Sequence, residues 1–321
     1  MACMKVARLF VVLVVFACSK DKAKEPPPPA PVPAAASGSA PAMTPGNPVG
    51  DEAYAAYEAK DYAKCAALYE KQTTPDALYN GACCLALDGK KDDAFAKLDK
   101  VMASGFRYVG HLGKDTDLTS LHDDPRWAKV VAAAEANVTK FEVSIKEPAL
   151  RKELLALRDE DQDARNALIK SDMKDEAAKK RVEVIDAKAT ARMKEIVAKH
   201  GWPGKSLVGD DGANTAWLLV QHADKDPAFQ KQCLALLEKA YPAKEAREID
   251  YAYLYDRVAV AESRPQRYGT QFKDGKPQPI EDAANVDARR KAIGLGTMAE
   301  YAKDMERMYG KPMSAGSGSA K

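Results

Sequence analysis

Hydrophobic residues between Leu150 and His200 recur at intervals of three and four, which is the spacing of an amphipathic α-helix. One helical face carries Leu154, Leu157, Asp161, Arg165 and Leu168. A second face carries Val182, Ile185, Ala189, Met193, Ile196 and Val197. The glycines and the proline of 201–204 are strong helix breakers and end the second run. The pattern therefore predicts two long helices that form an antiparallel hairpin.

Shorter apolar runs follow this break and predict further helices. Residues 215–224 form an apolar run with a polar end, and similar runs lie at 229–237 and 249–261. Asp256 and Arg257 interrupt the last of these runs. Both charges need partners, because an unpaired buried charge is strongly destabilising. We expect residues 146–310 to form one all-α domain.

The stretch 50–140 is predicted to form short helices in pairs. Ala82 and Ala94 are small enough to let two helices approach closely, and Gly89 lies in the turn between them. This arrangement resembles a tetratricopeptide repeat, where small residues recur at such points. A weaker copy, with Cys65 in the place of Ala94, lies 29 residues upstream, which is shorter than the usual period of about 34. We therefore expect a two-hairpin module with an irregular cap.

The cap is predicted to run through 118–127, where Leu118, Leu121 and Trp127 close the apolar edge of the module. The predicted fold class is all-α: a short helical-repeat module followed by a helical domain with a long antiparallel helix hairpin. The repeat resemblance implies binding of a protein or peptide partner, or scaffolding, without chemistry.

The N-terminus has the layout of a secretory signal. Lys5 and Arg8 precede an unbroken apolar run from Leu9 to Ala17, which is far shorter than the ~20 residues of a membrane-spanning helix. Cys18 follows directly. This ending resembles the lipobox of bacterial lipoproteins, which implies a signal at 1–17, lipid attachment at Cys18 and a place at the cell envelope, facing the periplasm or the exterior. An ordinary cleaved signal or an uncleaved anchor are the alternatives.

The composition after Cys18 favours the lipoprotein. Nine of the nineteen prolines fall between Glu25 and Pro48, so residues 18–49 are expected to form a disordered tether. The Ser/Gly/Ala-rich tail at 311–321 is predicted to be disordered as well. Removal of the signal leaves 47 basic and 47 acidic residues, so the mature chain has no basic field for nucleic acid.

Four cysteines remain after Cys3 leaves with the signal and Cys18 takes the lipid. Cys65 and the adjacent Cys83 and Cys84 lie on neighbouring predicted helices, and one bridge between them is possible if the Cα atoms come within ~7 Å. The alternative is that all of them are small core residues.

The C-terminal half carries a series of motifs: Q-H-A-D at 221–224, Y-L-Y-D-R-V at 253–258, Q-R-Y-G-T-Q at 266–271 and P-I-E-D at 279–282. Their order and spacing resemble a bacterial family of all-helical domains of unknown function. The resemblance covers about half of the chain and implies no reaction. It suggests these shared positions: Asp161, Gln162, Arg165, Trp202, Pro203, His222, Asp224, Asp256, Arg257, Gln266, Tyr268, Gly269, Thr270, Gln271, Glu281, Asp282 and Arg290.

Three interpretations of these positions stay open. The first is a buried polar network in which Asp256, Arg257, Glu281 and Arg290 pair beneath the Y-G-T-Q loop. The second is a pocket with His222 as general base or metal ligand, a carboxylate that orients it, and Arg257 or Arg290 on an anionic substrate. The third is a peptide-binding or glycan-binding pocket without chemistry.

The candidate residues follow from these interpretations. The catalytic candidates are His222, Asp224 and Glu281. The binding candidates are Asp256, Arg257, Gln266, Tyr268, Gln271 and Arg290. No metal site and no cofactor is predicted, since the specific hydrolase, zinc and phosphate-loop signatures are missing from the sequence. The favoured function is binding or scaffolding through the repeat module, and the alternative is a hydrolase-like enzyme in the C-terminal domain.

Overall fold

The computed structural model describes residues 48–171, 173–309 and 314, without the side chains of 48–51 and 307–309. The predicted signal, the lipidated Cys18, the tether up to residue 47 and all of the predicted tail except Ser314 lie outside the described residues. The predicted all-α class is confirmed, because regular structure in the described part is helical apart from one short β-hairpin. None of the helices in that part has both the length and the apolarity needed to cross a bilayer.

The N-terminal unit, which ends at Ser144, begins with four consecutive helices that pack each on the next. These are α1 (Pro48–Glu58), α2 (Tyr62–Glu70), α3 (Pro75–Leu87) and α4 (Lys91–Ala103). Thr74 caps α3 by accepting a hydrogen bond from the backbone of Ala77. A disulfide joins Cys65 of α2 to Cys84 of α3, with 5.9 Å between the Cα atoms. Of the two predicted pairings, the structure therefore has the one with Cys84.

The rest of this unit packs against α3 and α4. It consists of α5 (Val109–Leu112), a 3-10 turn (Thr116–Leu121) and α6 (Pro125–Ser144). The hydroxyl of Tyr57 on α1 donates to Asp117 at 2.9 Å, and the hydroxyl of Tyr79 on α3 donates to Asp115 at 2.8 Å. These buried bonds fasten the loop before α6 onto α1 and α3. The tetratricopeptide interpretation of this unit stays a prediction.

The C-terminal unit begins at Ile145 and opens with the predicted hairpin. Its helices are α7 (Pro148–Lys170) and α8 (Glu176–His200). The ion pairs Arg192–Glu153 and Lys188–Glu160 join the two helices, so numbering rises along one as it falls along the other. Gly201 ends α8 with a φ of 70°, a conformation that glycine adopts easily.

The elements after the hairpin complete this unit. They are α9 (Lys205–Gln221), α10 (Pro227–Ala240), α11 (Glu248–Ala261), β1 (Phe272–Lys273), β2 (Lys276–Pro277), a 3-10 turn (Ala283–Asn285), α12 (Val286–Ala292) and α13 (Met298–Tyr309). The strands β1 and β2 pair antiparallel. Trp217 on α9 is fully buried, and its indole donates to the carbonyl of Asp250 at 2.8 Å, which fixes α9 against α11.

Candidate functional site

Charged and polar side chains from α7, α8, α11 and the end of α9 meet inside the C-terminal unit. The centre is Asp161 of α7, whose Oδ1 lies 2.7 Å from Nδ1 of His222. Arg165 donates from Nε to the same oxygen at 3.1 Å, and Gln162 donates to Oδ2 at 2.7 Å. His222 follows the last residue of α9, where its own N–H still bonds back into the helix. The turn therefore holds the imidazole in a fixed position facing α7.

Asp161 is the anion that organises this cluster. Burial alone would raise the pKa of its carboxyl, but the neighbouring His222 and Arg165 and the hydrogen bonds it accepts lower the pKa to about 2. An ionised carboxylate can only accept, so Nδ1 of His222 carries the proton that points at Asp161. Nε of Arg165 lies 3.2 Å from Nδ1. The N–H of this Nε is thus directed between Oδ1 of Asp161 and Nδ1 of His222.

His222 is therefore a neutral imidazole with its second nitrogen unprotonated. Burial lowers its pKa, and the positive charge of Arg165 lowers it further against the opposing effect of Asp161. The residue is 2% exposed, and Nε2 has no hydrogen-bond partner among the described residues. A carboxylate on one imidazole nitrogen and a free lone pair on the other is the arrangement that a general base or a metal ligand requires.

Asp186 brings α8 into the cluster. Its carboxylate accepts from Nη2 of Arg165, so this guanidinium joins Asp161 and Asp186. The side chain of Asp186 is 23% exposed, whereas those of Asp161 and Arg165 are 1% exposed. Burial raises the pKa of Asp186 to about 7, against the attraction of Arg165.

Arg257 of α11 adds a second buried guanidinium to the cluster. It donates from Nε to Oε1 of Gln221 at 2.6 Å and from Nη1 to Oδ1 of Asp224 at 2.6 Å. Gln230 of α10 donates to the carbonyl of Gln221 at 3.1 Å and to Asp224 at 3.3 Å. Nη2 of Arg257 and Nε2 of Gln221 are buried without a partner among the described residues. Two donors therefore remain available in side chains that are already held in place.

Three of these side chains have the composition of a cation site. Asp161, Asp186 and His222 each offer one ligand atom, and these atoms lie within 4.8 Å of one another. The guanidinium of Arg165, however, already bonds to both carboxylates. An internal cation thus occupies this position, and we propose no metal here.

A second polar cluster surrounds Asp256, the residue before Arg257. Its carboxylate accepts from the backbone N–H groups of Arg267 at 2.7 Å, Tyr268 at 3.0 Å and Thr270 at 2.9 Å, and from the hydroxyl of Thr270 at 3.0 Å. Burial raises the pKa of Asp256, while these hydrogen bonds oppose the rise. The carboxylate of Asp256 therefore fixes the backbone conformation of the loop 266–271.

The amides and the arginine of the second cluster bind the same loop. Gln266 donates to the carbonyls of Gln271 and Gln278, and its own oxygen accepts from the N–H of Gln271 at 2.8 Å. Arg290 donates to the carbonyl of Tyr268 at 2.7 Å and to that of Gly296 at 2.6 Å. A buried anion and a buried cation thus hold the two sides of one peptide segment.

The candidate residues separate into two groups. His222, Asp224 and Arg257 lie in the first cluster, whereas Asp256, Gln266, Tyr268, Gln271 and Arg290 lie around the loop. Glu281 joins neither, because its side chain is 45% exposed and faces Arg267 at 3.5 Å. The network sketched for Asp256, Arg257, Glu281 and Arg290 is therefore wrong in its pairing. Asp256 binds backbone N–H groups, Arg257 binds Asp224 and Arg290 binds carbonyls.

The residue that orients His222 is Asp161, which was expected only as a shared position and not as a site residue. Asp161 and Arg165 lie on the apolar face of α7. Charged residues on a face that is otherwise apolar are the sequence feature that indicates this part of the site. Asp186, four residues after Val182 on the apolar face of α8, was missed although it carries the same signal.

The C-terminal unit is thus an all-α domain built around a buried His–Asp–Arg cluster and a carboxylate-held loop. The chain belongs to a family of unknown function (DUF6624), whose model matches residues 148–313, just over half of the chain. The match begins where α7 begins and includes both polar clusters, and it confirms the resemblance predicted from the motifs. No curated protein and no solved structure matches the chain.

Proposed function

We propose that the family domain carries out hydrolytic proton-transfer chemistry, with His222 as the general base. The observation that carries the proposal is the unpartnered Nε2 of a neutral imidazole whose Nδ1–H is held by Asp161. Buried polar nitrogens almost always have a partner, so an orphaned one needs an explanation. One such explanation is that Nε2 accepts a proton from a bound water or a substrate hydroxyl during the reaction.

Two further side chains of the cluster are suited to stabilising the negative charge that develops during a hydrolysis. Nη2 of Arg257 and Nε2 of Gln221 are donors without partners, on side chains joined at 2.6 Å. Such donors would hold a carbonyl or phosphoryl oxygen as negative charge develops on it. The base takes a proton from water, the hydroxide adds to the substrate, and the protonated base returns that proton to the leaving group.

Access to His222 requires a local opening, since the residue is 2% exposed. The side chains of Asp186 and Asp224 are the more exposed members of the cluster, at 23% and 27%. A substrate would therefore enter on the side where these two carboxylates reach the surface.

The test uses the full mature chain and a panel of chromogenic carboxylic esters, amides and phosphate esters. His222→Gln should lower the rate on a hydrolysed substrate by about 100-fold or more, the usual contribution of a positioned base. Its melting temperature should stay unchanged or rise, because functional polar groups are often held at the expense of stability. Asp161→Asn should lower the rate as well, since it removes the negative charge beside Nδ1 and introduces an NH2 donor that can select the other tautomer.

The exposed Glu281→Gln is the matched control and should leave rate and stability unchanged. Equal rates of wild type and His222→Gln on every substrate would contradict the proposal. A loss of several kcal/mol in stability for His222→Gln would also assign this residue to a structural network.

We further propose that Cys18 carries the lipid and places the chain at the bacterial envelope, as the short apolar run before it suggests. Binding by the N-terminal unit is a second proposed role, and the consecutive packing of α1 to α4 favours it. Asp115 and Asp117 cover the first helix of each pair, so a partner would bind another face of that unit. Cross-linking in membranes, compared between the wild type and a chain lacking 50–140, tests this role. Unchanged cross-links would contradict it.

A further inference from the structure

The first polar cluster has more negative than positive groups. Among the described residues its carboxylates are Asp161, Asp186 and Asp224, and its guanidiniums are Arg165 and Arg257. The imidazole of His222 is neutral. With all three carboxylates ionised, the buried cluster lacks one positive charge. A buried site of this kind takes up a proton more readily than the same carboxyl would in water.

Asp186 is the carboxylate that is least well compensated. Asp161 has His222, Arg165 and Gln162 as donors, and Asp224 has Arg257 and Gln230. Asp186 bonds to Arg165, which it shares with Asp161. Asp186 is therefore the carboxylate of the cluster that takes up a proton most readily, and this proton balances the charge of the cluster.

Charged groups of α7 and of the segment after α9 act on Asp186. On α7 it faces Asp161 and Arg165, and beyond the end of α9 it faces Asp224 and Lys225. Burial has the largest effect on the pKa of Asp186 and raises it to about 7. The two carboxylates reinforce this rise, and Arg165 and Lys225 oppose it.

One further acid stands near Asp186 on its own helix. Glu183 of α8 lies 3.1 Å from Lys225 and 3.3 Å from Lys180. It therefore has its own partners and divides the influence of Lys225 between two carboxylates. Lys225, which forms an ion pair with Glu183, therefore compensates the charge of Asp186 only in part.

We propose that Asp186 is a proton-operated gate over His222, closed when its carboxyl is protonated and open when it is ionised. This regulation rests on the proposed function of the same site. The protonated carboxyl accepts from Arg165 without adding charge, so α8 stays against α7. The ionised carboxylate is a surplus buried charge, and its partly exposed side chain can turn towards water and draw water into the cluster.

The gate therefore opens as pH rises through neutrality, where His222 is already the unprotonated base. Water that follows Asp186 reaches Arg165 first and His222 next, because Arg165 contacts both residues. The same path would admit a small substrate. Turnover should accordingly rise with pH over the range in which Asp186 ionises.

Hydrogen exchange of the full mature chain, measured by mass spectrometry at pH 6 and pH 8, tests the gate. About one tenth of a carboxyl with a pKa near 7 is ionised at pH 6, and about nine tenths at pH 8. After correction for intrinsic exchange, opening of peptides from α8 and the end of α9 should be about tenfold more frequent at pH 8. Asp186→Asn should show the low value at both pH values.

Glu195→Gln, at an exposed acid of α8 that bonds to Arg192 of the same helix, is the matched control and should behave as the wild type. The same pH dependence in Asp186→Asn as in the wild type would overturn the gate, as would its absence from the wild type. Opening in His222→Gln should equal that of the wild type. If the wild type shows the pH-dependent opening but hydrolyses no substrate, only the role of His222 as the base is refuted. If Asp186→Asn hydrolyses a substrate with the same pH profile as the wild type, only the gate is refuted.

Discussion

Asp256→Ala should destabilise the C-terminal unit more than any exposed substitution, because the carboxylate is the acceptor for three of the six backbone N–H groups of the loop 266–271. The change leaves three backbone N–H groups and the hydroxyl of Thr270 buried without their acceptor. Hydrogen bonds to a charged group contribute about 1.5–3 kcal/mol each. The gross loss is therefore about 6–12 kcal/mol.

Part of this loss is offset, because burying the carboxylate is itself unfavourable and alanine avoids that penalty. The raised pKa of Asp256 shows that the penalty is present in the folded state. An effective penalty of several kcal/mol leaves a net destabilisation of about 3–5 kcal/mol. For a unit of this size, this corresponds to a fall in melting temperature of about 10 °C.

Urea denaturation followed by circular dichroism measures the free energy of unfolding of the wild type and Asp256→Ala. Asp256→Asn should fall between them, since its amide keeps one acceptor oxygen but turns an NH2 group towards N–H donors. Glu281→Ala, whose exposed side chain faces Arg267 of this loop, should change the free energy of unfolding by less than about 0.5 kcal/mol. A loss below about 1 kcal/mol for Asp256→Ala would refute the reasoning, because water would then be replacing the carboxylate.

The remaining predictions concern linkage, the disulfide, the domains and the anchor. The contribution of Asp186 to the free energy of unfolding should fall as pH rises from about 4 to 7, because the folded chain binds this proton more tightly than the unfolded chain does. The difference between urea titrations of the wild type and of Asp186→Asn isolates this contribution from that of His222, whose lowered pKa acts in the opposite direction. Cys84→Ala should destabilise the N-terminal unit by about 3 kcal/mol, because the unfolded chain gains the entropy of a loop that the disulfide closes across 19 residues. A loss below about 1 kcal/mol in urea titrations would contradict this prediction. A fragment that begins at Lys146 should be folded and helical by circular dichroism, whereas an unfolded fragment would mean that the two units share a core. Cys18→Ala should release the chain from membranes, and an unmodified wild-type Cys18 in mass spectrometry would rule out the lipid.

The helices of the C-terminal unit were predictable because burial imposes a period on the sequence. Val182, Met193 and Ile196 repeat at helical spacing and lie on the buried face of α8. The breakers after His200 mark the end of that helix in the same way. These features depend on neighbours within one helix, which a single sequence shows directly.

The partners of the polar residues depend on how the helices face each other, which the sequence pattern does not show. Asp256 and Arg257 are adjacent, yet they point to different sides of α11 and enter different clusters. The pairing of His222 with Asp161 crosses 61 positions of the chain. Asp224, only two residues away, is turned towards Arg257 instead.

Nitrogen NMR of the histidine side chains is the most direct test of the proposed base. The chain has four histidines, and His222→Gln identifies the signals of His222. We predict a neutral imidazole at pH 7 with its proton on Nδ1 and a lone pair on Nε2, and protonation only below the usual histidine range. Asp161→Asn should disturb this tautomer. A proton on Nε2, or a doubly protonated ring at pH 7, would contradict the assignment of His222 as the base.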